Sequence, residues 1–130
     1  MDEQQYSWVN ARAACSPFEV FKCLLMGAET DVKERNATLA GGSRFTFKIG
    51  PCDEESFLVI RQVGKGAASV EFVHTAVGIQ VRDDARATIL EGILTLNDEG
   101  NCRLKVGDKE LTFWQFRRRA LEALFFNVND

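Results

Sequence analysis

Proline occurs only twice in 130 residues and histidine only once, and the four cysteines, Cys15, Cys23, Cys52 and Cys102, contain no CxxC pair. One histidine without paired thiols gives no zinc-site spacing. No apolar run approaches the roughly 18 residues needed to span a bilayer. The opening MDEQQYSW is acidic and polar, unlike a secretory leader, so the expectation is a cytoplasmic protein. In that compartment the cysteines are expected to be reduced and packed as small hydrophobes. Charge of one sign is also scarce: 16 basic and 19 acidic residues leave a net −3. No broad positive field would attract a polyphosphate, and nucleic acid is not an expected partner. GxGxxG, P-loop, GxSxG and HExxH patterns are missing, so no cofactor, no metal and no catalytic residue is assigned.

What remains is an ordinary globular composition, 45% hydrophobic and 27% charged. Its length suits a single domain over residues 1–130, with residues 1–5 expected to be flexible. In SPFE, Ser16 can cap a helix, Pro17 suits its first position and Glu19 can return a capping-box bond. Phe18, Phe21, Leu24, Leu25, Ala28 and Val32 then fall on one stripe at about 100° per residue, predicting an amphipathic helix at about 17–36.

Beyond Gly41-Gly42 the period changes to two. Phe45, Phe47 and Ile49 alternate with polar residues, and FLVIRQV at 57–63 reads as a central strand. ASVEFVHT and VGIQV read as further strands, although nothing marks a turn at Thr75-Ala76. The stretch 84–94 fits both periods, and its β-branched residues with Gly92 favour a strand. NDEG at 97–100 marks a turn before a strand at 102–106 and a short KEL. Thr112 and Gln115 can cap a closing helix at about 113–126. The fold class is α+β: an antiparallel sheet of about five to six strands with both helices packed on it.

The closing helix, FWQFRRRALEALFF, carries three consecutive arginines. Arg118 and Arg119 project onto its polar side, where Arg118 stands four residues from Glu122. Arg117 projects into the apolar arc with Phe113, Ala120, Leu121 and Leu124. Its guanidinium either snorkels to water or a carboxylate, with Glu91 a candidate counterion, or stands at a pocket mouth to hold an anionic group. Strand parity also turns His74 and Arg61 towards the apolar layer. Trp114 supplies a large amphipathic wall.

The element order is similar to the helix-grip fold of the START-like lipid- and hormone-binding proteins, with residues 6–14 as a first strand. That resemblance implies a cavity between sheet and C-terminal helix, walled by Trp114, Arg117 and Leu121, for an apolar ligand with an anionic end. A helical 84–94 instead resembles the small acidic secretion-chaperone class, implying a homodimer that binds protein partners. The leading expectation is a non-enzymatic small-molecule-binding module whose site draws on Arg117, Trp114, His74, Arg61, Glu91 and Leu121. A dimeric protein-interaction adaptor is the alternative, and a small enzyme ranks third.

Overall fold

Seven strands, each antiparallel to the next, run in sequence order across one sheet in the computed structural model, which describes residues 6–39 and 41–127. The expectation for residues 1–5 lies outside these. The strands are β1 (Phe45–Cys52), β2 (Ser56–Val63), β3 (Gly66–His74), β4 (Gly78–Asp83), β5 (Thr88–Leu96), β6 (Cys102–Val106) and β7 (Lys109–Leu111). Two long helices, α2 (Pro17–Ala37) and α3 (Phe113–Phe126), lie at the positions expected from their apolar stripes, after a short α1 (Trp8–Ala14). The class is the α+β arrangement expected, with one or two strands more than predicted.

Alternation decides which face the helices cover. Phe47, Phe57, Val59, Val70, Phe72, Ile79, Val81 and Leu104 point to one side and are buried together with Phe21, Leu24 and Ala28 of α2 and Phe116, Ala120 and Leu121 of α3. Stacked and edge-on rings, Phe57 on Phe72 at 4.7 Å and Phe72 against Phe116 at 6.5 Å, fill the space beneath the helices. Gly92 sits under this layer. A Cβ there would lie 2.7 Å from the Phe116 ring, so the glycine lets α3 seat on β5. The ambiguous stretch 84–94 resolves as a turn leading into β5, with Ile79 opposite Gly92 and Val81 opposite Leu90.

Several local expectations fail for physical reasons. Residues 8–14 form a helix, not a first strand, and the absence of a helix at 84–94 removes the chaperone-like order. Ser16 occupies the N-cap of α2, but its side chain makes no capping bond, and Glu19 pairs with Lys22 at 3.0 Å instead. At α3 the expected box is present: Thr112 accepts from Gln115 N–H, and Gln115 accepts from Thr112 N–H. The unsignalled β3–β4 turn is closed by Thr75, whose hydroxyl accepts from Gly78 N–H at 3.1 Å while its own N–H donates to the Gly78 carbonyl at 2.8 Å.

The cysteine expectation is also corrected. Cys15, between α1 and α2, is disulfide-bonded to Cys102 at the start of β6, and Cys23 and Cys52 are free but exposed. The bonded pair stands 87 residues apart in sequence, a separation no spacing rule addresses. No described helix is long and apolar enough to cross a membrane.

Candidate functional site

α2 and α3 lie side by side on the sheet, and the strip of α2 that faces α3 is Gly27, Asp31 and Arg35, residues about one turn apart, continued by Thr38 at the C-cap. At its middle Arg117 reaches across from α3 and donates from Nε to Asp31 at 2.7 Å. The guanidinium lies directly over Gly27, where any Cβ would overlap it. Arg117 therefore does face inward, as its projection required. Its counterion is Asp31, on the neighbouring helix, and not Glu91. Glu91 sits on the opposite face of the sheet, where it accepts from Gln80 at 3.2 Å.

One turn further along α2, Arg35 donates from Nε to the Phe125 carbonyl at 2.9 Å and from Nη1 to Thr38 Oγ1 at 2.9 Å. Its guanidinium lies over the ring of Phe126 at 4.4 Å and over that of Phe47 at 5.4 Å. Arg61, turned inward on β2 as strand parity predicted, donates to the Leu124 carbonyl at 3.1 Å. Two cations from other elements thus satisfy two of the carbonyls in the last turn of α3, those of Leu124 and Phe125, where a helix leaves acceptors unpaired and its dipole favours positive charge. α3 has no basic residue of its own in that turn.

Between these contacts the helices leave an open groove of about 340 Å³. Leu121, Phe125, Phe126 and Trp114 give it apolar surface, and Asp31, Glu34, Glu122, Arg35, Arg117 and Arg118 supply its charge. Asp31 is used by Arg117, and Glu122 by Arg118 one helical turn away. Among the described residues Arg35 meets only neutral acceptors, so its charge has no carboxylate within ion-pair reach. The pairing with Glu122 raises the pKa of Arg118 further above its ordinary range. Trp114 and Arg118 form a ridge with a second hollow on its far side, about 940 Å³, between α3 and strands β5 and β7.

Of the six residues named from sequence, Arg117, Trp114 and Leu121 come together in the groove. Arg61 braces the end of α3 from below. His74 stands elsewhere: its ring packs edge-on against Phe18 and Phe21, with centroids at 5.7 and 5.2 Å, and Nε2 lies 2.7 Å from the Glu54 carbonyl. A carbonyl only accepts, so Nε2 carries the proton and His74 ties down the β1–β2 turn. In the same turn Asp53 accepts from the Glu55 and Ser56 amides, which hold its carboxyl below the usual aspartate range. Sequence reading missed Gly27, Asp31, Arg35, Phe125 and Phe126. The signal was present as a strip of one small and two charged residues at four-residue spacing beside the apolar stripe of α2.

A third groove, about 560 Å³, opens between α1 and the sheet, with Trp8 and Arg12 on one wall and Val77, Ile93 and Leu94 on the other. Compared with protein-family models, curated proteins and solved structures, the chain matches none.

Proposed function

We propose that the protein is a non-enzymatic binding module and that the α2–α3 groove takes a small ligand with an apolar body and a single anionic group. The observation that carries this reading is Arg35: a cation not neutralised by any carboxylate among the described residues, standing over the Phe126 ring at the rim of an apolar groove. A volume of about 340 Å³ falls within the range of small-molecule sites, which are mostly apolar with a few placed polar groups. Glu34 on the same rim opposes densely charged anions, so the ligand class is a monoanion and not a polyphosphate. A cytoplasmic setting is part of the proposal, and there the Cys15–Cys102 bond would have to be a reversible one.

The test uses 1-anilinonaphthalene-8-sulfonate, an aromatic body bearing one sulfonate. Fluorescence titration of the folded protein should give saturable binding that weakens by about fivefold or more in Arg35→Gln and is unchanged in Arg119→Gln. Equal affinity in the two variants, or no saturable binding, contradicts the reading. A second reading, pairing with another copy of this chain, is favoured by a separate observation: Trp8, Val9, Val77 and Ile93 all expose apolar surface near the α1 groove. Native mass spectrometry separates the two, since a dimer without retained mass favours pairing and a monomer carrying a dissociable small molecule favours the ligand.

A further inference from the structure

α1 is a helix with almost nothing to hold it. None of its residues is buried, and its two large apolar side chains, Trp8 and Val9, are 64% and 57% exposed. Seven residues are too few to sustain a helix in water without packing. Among the described residues Arg12 donates only to the Cys15 carbonyl within the same segment, and Tyr6 just before the helix donates to the Gly100 carbonyl at 2.9 Å. From Val20 onward the chain is fixed by the core. Between these regions stands Cys15, bonded to Cys102 on β6.

We propose that Cys15–Cys102 is a reversible redox latch: the disulfide docks α1 beside β5 and β6, and reduction releases α1 and takes apart the groove between Trp8 and Ile93. Cys15 is 2% exposed whereas Cys102 is only partly buried, so an incoming thiolate reaches the Cys102 sulfur first. A sulfur–sulfur bond to Cys102 forms, the Cys15–Cys102 bond breaks, and Cys15 leaves as a thiolate that takes up a proton. The second thiol of a dithiol reductant then displaces Cys102, closing a cyclic disulfide. One disulfide and one dithiol become one cyclic disulfide and two protein thiols. Released at Ser16-Pro17, α1 loses its wall of the groove, while α2 keeps its buried Val20, Phe21 and Leu24.

The test treats the native full chain with millimolar dithiothreitol, counts reactive thiols, and follows short-pulse amide hydrogen exchange by mass spectrometry. The count should rise from two, Cys23 and Cys52, to all four cysteines. Segment 8–15 should then exchange at least about tenfold faster, as for local unfolding, while α3 stays protected. Cys15→Ser with Cys102→Ser should behave like the reduced protein. Three results overturn the proposal: a count that stays at two without denaturant, protection of 8–15 that survives reduction, or loss of protection throughout α3 and the sheet, which marks a cross-link on which the whole fold depends.

Discussion

Arg117 Nε and Asp31 Oδ2 stand 2.7 Å apart across the two helices, with the guanidinium laid over Gly27. The pair is mostly but not fully buried, so removing one partner strands the other in a poor solvent. Arg117→Ala should cost about 1–3 kcal/mol by chemical denaturation, through the lost charged hydrogen bond and lost packing. Arg118→Ala removes an exposed pair and should change stability little. Equal costs for the two would contradict the phasing of α3.

Gly27 gives that relationship a sharper test. In a helix interior alanine outranks glycine by roughly 0.5–1 kcal/mol, but here the methyl would displace the guanidinium. Gly27→Ala should therefore destabilise the protein with Arg117 present and stabilise it in an Arg117→Ala background. A double-mutant cycle that shows the same sign in both backgrounds refutes the contact.

Asn36 covers the middle of the β1 edge of the sheet. Its amide donates to the Phe47 carbonyl at 2.8 Å and accepts from the Phe47 N–H at 3.0 Å, occupying the groups of β1 that point away from β2. Ser43 accepts from Phe45 N–H, and Pro51 has no donor to offer. Asn36→Ala should cost about 1–3 kcal/mol for the two unpaired backbone groups and should raise concentration-dependent self-association, measured by sedimentation velocity, because an open strand edge is a template for pairing.

Asp53 supplies a pH dependence of defined sign. Its folded pKa is lowered by the Glu55 and Ser56 amides, so its stabilisation is complete above the ordinary aspartate range near about pH 4. It is lost as pH falls through the lower folded value. Asp53→Asn should flatten the acid limb of the melting temperature against pH over that window and leave neutral pH nearly unaffected in slope.

The sheet was legible because a two-residue period survives in nearly every strand, and both long helices because their stripes recur at helical spacing. α1 was not, since WVNARAA buries nothing and carries no stripe to read. The inward turn of Arg117 and Arg61 followed from projection and parity alone. Their partners did not: Asp31 and the Leu124 carbonyl are set by how α2 and α3 lie together, which no single element encodes. Glu91 was misjudged because its flanking isoleucines looked like core. Both isoleucines are themselves exposed, and Ile93 shares the outer face with Glu91, whereas Gly92, with no side chain to announce it, marks the inner one.

The two tryptophans make the central claim directly measurable, since Trp114 borders the α2–α3 groove and Trp8 the α1 groove. The measurement is the pair of indole N–H resonances in a proton–nitrogen correlation spectrum, assigned with Trp8→Phe, during titration with 1-anilinonaphthalene-8-sulfonate. The account predicts a saturating shift of the Trp114 signal, accompanied by the Phe126 amide, with Trp8 unmoved. A shift of Trp8 with Trp114 unmoved would contradict it and place the binding surface beside α1.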